Sequence, residues 1–487
     1  MRRVLVANRG EIACRIMRTL RVLGIASVAV YHHEDRSAPH VQAADLALPL
    51  SADVPSAAYL DRQQLIACAL QAAADAVHPG YGFLSENALF AEQVAAAGLT
   101  FIGPDAAAMR LLGDKIRARE FAAAHGVPVA PSIVGELPEI ARRAHEIGYP
   151  LLIKAAAGGG GKGMRIVRSA AQLAESLQLA AQEAARYFGD GRVYAERYLE
   201  QPRHIEVQVL GDGQGGAVHL FERECSVQRR YQKIIEESPA PRLPAELRAA
   251  MCTAAVRLTA AARYRNAGTV EFVLAAGGEF YFLEMNTRLQ VEHPVTECIL
   301  GLDLVALQLR IAAGEALGLT QPQLLPRGHA IECRICAEEP EQEFRPATGR
   351  VGVLHVPQGP GVRFDGGLRQ GQLITPSFDS MLGKLIAWGP DRAAAIERLT
   401  QALAEFVLLG VPNNVDYLRR VLEHGQFRAG ALHTGFLAQH AAELTAPPAT
   451  PPQQLVAALA ALGCDPDFER LRQHTPEPHA SIGPWRN

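Results

Sequence analysis

The sequence predicts an α/β protein: a doubly wound parallel sheet at the N-terminus, a small glycine-rich unit, and a larger mixed antiparallel sheet after it. Three observations predict this. Over the first hundred residues short apolar runs alternate with helical stretches, as strands joined by crossover helices must. From about Gln201 the pattern turns to period-two alternation, the signature of half-buried strands. Between the two lies Gly158-Gly-Gly-Gly-Lys-Gly163, too glycine-rich for either element. A length of 487 residues fits about three domains.

The elements follow in order. Val4–Ala7 is a strand, Glu11 to about Leu23 a helix ended by Gly24, and Ala26–Tyr31 a second strand. Helices are expected at Tyr59–Ala73 and Asn87–Ala97, with a strand end at Asp75–Val77 and another strand at Leu99–Ile102. The first strand-to-helix turn, Asn8-Arg-Gly10, lacks the three glycines of a dinucleotide site. Helical sequence around Lys115–Gly126 leads to the strand Leu151–Ala155 and the glycine run, after which Met164–Val167 is again strand-like. Helices are expected at Ala245–Tyr264, Leu302–Ala313 and Arg392–Val407, with strand-rich sequence from Gly328 to Trp388. Pro447, Pro448, Pro451 and Pro452 mark a linker to a peripheral tail.

Composition narrows the function. With 48% hydrophobic and 20% charged residues and a net charge of −3, nothing calls for nucleic acid. No apolar run is long enough for a membrane span, and Arg9, Glu11 and Arg15 interrupt any signal-peptide core. The eight cysteines are scattered, as reduced thiols are, and Cys333-Arg-Ile-Cys336 has no second pair to complete a zinc site. The chain reads as cytoplasmic. Only five of its 48 basic residues are lysines, and four of them, Lys115, Lys154, Lys162 and Lys233, fall in segments suited to phosphate.

The glycine run is not a Walker loop, because Gly163 stands where Ser or Thr would bind magnesium and a strand follows in place of a helix. It reads as the tip of a glycine hairpin, a lid over phosphates. Thr269–Leu274 and Phe280–Asn286 flank Gly277-Gly278, a two-residue hairpin signal that places Glu271 opposite Glu284. With their Cβ atoms about 4.5–5.5 Å apart the two carboxylates repel one another, and a divalent cation between them turns that repulsion into a binding site. With Asn286 on the same face the donors are all hard oxygens, which suit magnesium or manganese rather than zinc. Glu284, Asn286, Arg288, Gln290 and Glu292 share one parity; if the segment stays extended as far as His293-Pro294, they form one polar wall. His204, Glu206 and Gln208 share another strand face, and Arg229, Arg230 and Lys233 cluster cations.

From about Arg3 to Gln439 the chain closely resembles the biotin carboxylases of the ATP-grasp superfamily. The resemblance rests on Ala7–Ile12, His78–Asn87, the glycine lid, Pro202–Glu206, Glu284–His293, Glu332–Arg334 and Asp379–Lys384. It implies an ATP-grasp fold with a Rossmann-like domain over 1–102, a helical linker over 103–129, a lid domain over 130–198, a C-terminal catalytic domain over 199–440 and an Ala/Pro-rich tail over 441–487. It implies an enzyme that makes carboxyphosphate from ATP and bicarbonate, with Mg2+ or Mn2+, and then carboxylates biotin. By the resemblance Lys115, Lys154 and the lid (Gly158, Gly159, Gly160, Gly161, Lys162, Gly163) hold ATP phosphates. Glu196, Arg197 and Leu199 line the adenine pocket, and His204, Gln228 and Tyr231 join the nucleotide contacts. Glu271, Glu284 and Asn286 hold the metal. Lys233 steadies the transferring phosphoryl group, and Arg288, Gln290, Val291, Glu292 and Lys233 hold bicarbonate. Glu292 is the general base; Arg334, with Tyr81 nearby, receives biotin.

Two positions depart from the family pattern: Tyr231 replaces its usual histidine and Arg197 its usual adenine-side lysine. Biotin is borne by a lysine between methionines, and none of the five lysines here adjoins one, so the carrier is another chain or another domain. The resemblance further implies a homodimer, with a carboxyltransferase subunit as partner. The tail ending Gly483–Asn487 resembles the start of the linker domain of acyl-CoA carboxylase α subunits, so the chain reads either as a free-standing subunit or as the N-terminal part of a longer one. Two rival readings stay open on the residues alone: an ATP-grasp ligase that activates a carboxylate for an amine, and a nucleotide-binding regulatory subunit.

Overall fold

The computed structural model of the chain describes residues 1–157 and 164–445. The expected lid tip, Gly158–Gly163 with Lys162, and the tail 446–487 lie outside the described residues.

The N-terminal sheet is parallel throughout, in the order Leu46–Pro49, Ala26–Tyr31, Arg3–Val6, Ala76–His78, Thr100–Phe101. Its inner strands are buried, Val4, Leu5 and Val6 completely, because helices cover both faces of such a sheet. Gly10–Val22 follows the first strand and packs its apolar stripe, Ile12, Ile16 and Leu20, into the core. The edge strand Leu46–Pro49 has little strand signal of its own: it is short, ends in proline, and owes its conformation to pairing with Ala26–Tyr31.

Two consecutive helices, Ala106–Gly113 and Lys115–Ala124, connect onward. Asp114 starts the second by accepting the Ile116 and Arg117 N–H groups. A four-stranded antiparallel sheet follows, ordered Ser132–Val134, Val193–Arg197, Leu151–Ala155, Arg165–Val167, with the helix Leu173–Phe188 packed on it.

The frame of the site is an eight-stranded sheet, ordered Phe280–Asn286, Arg265–Leu274, Arg203–Asp212, Ala217–Arg229, Gln232–Ser238, His329–Cys336, Met381–Gly389, Val362–Gly366. Every pairing in it is antiparallel. The helix Ala245–Ala261 packs apolar residues against Ile205, Val207, Val270 and Phe272 on one face. The opposite face turns His204, Glu206 and Glu271 towards one cleft. Seven cysteines fall among the described residues and all are free thiols. Among the described residues no helix is long and apolar enough to cross a membrane.

Candidate active site

The hairpin that sequence reasoning singled out does place Glu271 directly opposite Glu284, by a route of two offsetting departures. The turn is wider than the two glycines suggest: Ala275 N–H bonds to the Glu279 carbonyl, and Leu274 pairs with Phe280. A bulge between Glu271 and Phe272 then inserts Leu283 and restores the pairing of Glu271 with Glu284 and Thr269 with Asn286. The bulge keeps both Phe282 and Met285 in the core while Glu284 and Asn286 face the cleft.

The acidic row is longer than the hairpin. Glu206 lies opposite Glu271 on the other side, and Arg223 opposite Glu206, so Glu284, Glu271, Glu206 and Arg223 run across four adjacent strands. Three carboxylates in a row would repel strongly, and lysines offset them. Lys233 Nζ donates to Glu206 at 2.5 Å, Glu271 at 2.8 Å and Glu292 at 2.6 Å. Lys115 Nζ pairs with Glu284. Burial opposes ionisation of Glu271, but Lys233 and His204 win and hold its carboxyl well below the usual range. Burial likewise lowers Lys233, yet its three carboxylates hold it well above the ordinary lysine value. Lys115 is pushed down to about 8 by burial and by nearby Lys154.

Arg223, missed by sequence reasoning, is wholly buried and organises the row. It donates to Glu206 at 2.5 Å, Gln208 at 2.8 Å, Thr296 at 2.9 Å and Gln290 at 2.7 Å. Its only signal in the sequence is its place in the alternating strand Ala217–Arg229. Gln290 in turn donates to Glu271 at 2.8 Å, as does Asn286. His204 accepts the Gln228 amide at Nδ1, 3.1 Å away, which leaves Nε2 carrying the proton 3.0 Å from Glu271.

The polar wall is not a strand to its end. The ladder stops at Asn286, and Glu292 stands at the head of the helix His293–Leu300, which His293-Pro294 begins rather than blocks. Asn286, Arg288, Gln290 and Glu292 nevertheless all line the cleft. Arg288 donates to Glu86 at 2.9 Å and to the Asn286 amide oxygen at 2.8 Å. Arg334 bonds Glu292 at 3.0 Å. The Val291 carbonyl accepts from buried Lys384 at 2.7 Å.

The cleft has a volume of about 850 Å³. Lys115, Lys154, His204, Gln228, Tyr231 and Lys233 line it together with the wall, both hairpin carboxylates and Arg334. Tyr231 is half-exposed at a hairpin tip with φ +67°. Four expected residues lie off its lining. Glu196 is buried between Lys154 at 2.7 Å and Arg119 at 3.0 Å, the Arg197 side chain is exposed, Leu199 is half-buried, and Tyr81 donates its hydroxyl to Glu11. The donors fit a hard divalent ion: two carboxylates from adjacent strands and an amide oxygen, with no thiol among them.

A cleft between a lid sheet and a larger antiparallel sheet, with lysines facing paired carboxylates, is that of an ATP-grasp enzyme. Family models match three stretches: the biotin carboxylase N-terminal domain over residues 1–109, the carbamoyl-phosphate synthase L chain ATP-binding domain over 114–320, and the biotin carboxylase C-terminal domain over 332–439. The biotin carboxylase of Nostoc sp. is 50% identical over 438 residues, which are 89% of this chain and 98% of that protein. A pyruvate carboxylase subunit of Methanothermobacter thermautotrophicus is 48% identical over 441 residues, 90% of each chain. The mitochondrial methylcrotonoyl-CoA carboxylase α subunit of Glycine max is 48% identical over 446 residues, 91% of this chain; the match spans only 61% of that longer protein. Among solved structures, the biotin carboxylase domain dimer of Hydrogenobacter thermophilus 2-oxoglutarate carboxylase, in complex with MgADP, ADP and bicarbonate, superposes with a TM-score of 0.89 at 43% identity, covering 92% of this chain and 99% of that one. The chain belongs to the biotin carboxylase family and is an ATP-dependent carboxylase ligase.

Proposed function

We propose that this chain is the biotin carboxylase component of a biotin-dependent acyl-CoA carboxylase, working in the cleft that Glu271, Lys233 and Glu292 share. One observation carries the assignment of roles: a single ammonium, Lys233, touches both a hairpin carboxylate and Glu292, so nucleotide and bicarbonate chemistry meet at one point.

Glu271 and Glu284, with Asn286, would hold Mg2+ or Mn2+, which draws charge from the ATP phosphates when bound. Lys115 and Lys154 bind the phosphates, aided by the lid. His204, Gln228 and Tyr231 border the nucleotide, and Glu196 acts from behind Lys154. Arg288, Gln290 and the Val291 backbone orient bicarbonate. Glu292 removes its proton, and the resulting dianion attacks the γ-phosphorus to give carboxyphosphate and ADP. Lys233 neutralises charge on the transferring group, since such transfer is mainly positioning and electrostatics. Carboxyphosphate breaks down to CO2 and phosphate; phosphate takes the biotin N1′ proton, and N1′ then attacks CO2. Arg334 stabilises the biotin enolate, and Tyr81, bonded to Glu11, is the second biotin contact of this reading. Biotin arrives on a carrier protein or domain, and a carboxyltransferase subunit takes the product. A homodimer is the proposed assembly, as in the Hydrogenobacter structure.

The test is ADP release with and without bicarbonate and free biotin: both should accelerate it, and a rate indifferent to both rejects the reading. The acyl-CoA part rests on the methylcrotonoyl-CoA carboxylase relatives and on the likeness of the tail. Reconstitution with carrier and carboxyltransferase, offered an acyl-CoA or a 2-oxo acid, decides it; carboxylation of the 2-oxo acid alone refutes it.

A further inference from the structure

Directly behind the reaction centre the fold buries a second set of carboxyls, outside the residues assigned above. The strand Gln232–Ser238 runs beside His329–Cys336 with Glu236 opposite Glu332, and neither side chain reaches solvent. Two like charges facing each other in a dry interior cannot both ionise. Local cations are too few to change that. Arg334 donates to Glu236 Oε1 through Nε at 2.6 Å and to Glu292 Oε2 at 3.0 Å, so one guanidinium bridges both carboxylates. Lys384, also fully buried, is committed to the Val291 carbonyl at 2.7 Å and to Glu11 at 3.2 Å. Glu236 Oε2 and both oxygens of Glu332 have no hydrogen-bond partner among the described residues.

The charged and titratable groups around Glu236 are Arg334, Glu332 and the Cys333 thiol from the neighbouring strand, Glu292 at the head of the helix His293–Leu300, Lys233 on its own strand, and the Cys225 thiol from Ala217–Arg229. Burial, helped by Glu236, pushes Glu332 well above the usual carboxylate range despite Lys384, which favours its neutral form. Burial and Glu292 push Glu236 up to about 7 against the pull of Arg334. Glu292, despite burial, is held well below the usual range by Lys233 and Arg334. A carboxylate held first by Lys233 and then by Arg334 is a poor base, and weakening the hold of either cation makes Glu292 more basic.

We propose that Glu236 is a positioning residue for the carboxylation: by competing with Glu292 for Arg334 it sets how basic Glu292 is, while Glu332 stays neutral beside it. The inference rests on Glu292 being the base. No bond forms or breaks at Glu236; its charge only decides how much of the Arg334 charge Glu292 feels. Below neutral pH a protonated Glu236 leaves Arg334 to Glu292 and the reaction is slow. Above it, ionised Glu236 draws Arg334 away and the rate rises.

The test is kcat/KM for bicarbonate between about pH 6 and 8.5 for the parent enzyme, E236Q, E332Q and E292Q in the same buffers, so that titration of bicarbonate itself cancels. The parent should rise through about pH 7, the value set for Glu236. E236Q should lose that rise, running about tenfold below the parent at pH 8 but within about threefold at pH 6. E332Q should keep the parent profile and melting temperature, because it replaces a neutral group by a neutral one. An E236Q profile parallel to the parent, or an E332Q limb displaced by about one pH unit or more, overturns the proposal. E292Q separates the two levels. If it abolishes turnover at every pH, the base stands whatever E236Q does; if it turns over normally, the base assignment falls and this inference with it. Difference infrared spectroscopy of the parent enzyme requires no variant to fold. It should show one buried protonated carboxyl that titrates near pH 7 and a second that titrates well above the ordinary carboxylate range. Carboxyl bands that titrate only in the ordinary acidic range overturn the assignment.

Discussion

Replacing Lys233 by methionine removes an ammonium that three buried carboxylates share while keeping most of the packing of its stem. Arg223 still serves Glu206 and Arg334 still serves Glu292, but Glu271 is left with two amides and His204. Stripping one partner from a buried ion pair costs about 3–5 kcal/mol. Unfolding a chain of 487 residues releases about 1 kcal/mol per degree of entropy, so the melting temperature should fall by about 3–5 °C in metal-free buffer. Millimolar Mg2+ should restore much of this, because the ion then meets a carboxylate with no competing ammonium. Turnover should fall by about a thousandfold, as when a charge aimed at a transition state is deleted. The assay is thermal melting of parent and variant with and without Mg2+, alongside ADP release. A variant that melts with the parent and ignores Mg2+ would refute the reasoning, for the carboxylates would not depend on Lys233.

Glu271→Gln should raise the Mg2+ concentration needed for half-maximal ADP release by about tenfold or more while leaving the fold intact, since one anionic donor is lost; an unchanged Mg2+ requirement would exclude Glu271 as a ligand. Gly367→Ala should destabilise the chain by about 1–3 kcal/mol in a denaturant melt. The added Cβ would sit 2.7 Å from the Gly10 carbonyl carbon and 2.8 Å from the Glu11 nitrogen, where backbone cannot yield. An unchanged midpoint would mean that the strand end and helix start are not in contact. His40 and His78 are both pushed down to about 4 by burial. Each is therefore neutral when folded, and stability should be lost as pH falls from about 6.5 towards 4, by up to about 3 kcal/mol per histidine. His78→Gln should flatten its share of that loss, and a melt independent of pH across this window would contradict it.

The local features were legible because they needed no distant partner. Asn87 caps the helix Ala88–Ala96, Gly24 follows the first helix, and Leu151–Ala155 and Ala26–Tyr31 are strands as their residue types require. The facing of Glu271 and Glu284 is expected because one hairpin contains both, but it rests on a wider turn and a compensating bulge that the two glycines do not signal. Beyond Asn286 the residues of one parity, Arg288, Gln290 and Glu292, do line the cleft, joined by Val291 of the other, but parity does not give the backbone conformation, because alternation does not distinguish a strand from a loop leading into a helix.

By its letters alone the chain determined an α/β architecture, the hairpin of hard-oxygen donors, the scarcity of lysine that made Lys115, Lys154 and Lys233 stand out, and its likeness to one enzyme family. Tertiary structure alone decided that Glu206 and Arg223 extend the acidic row, that Lys233 binds three carboxylates, and that Glu236 and Glu332 face each other behind Arg334. The reason is physical. Ionisation and ligation depend on distances across strands far apart along the chain, and register between such strands is set by the packing of the whole sheet.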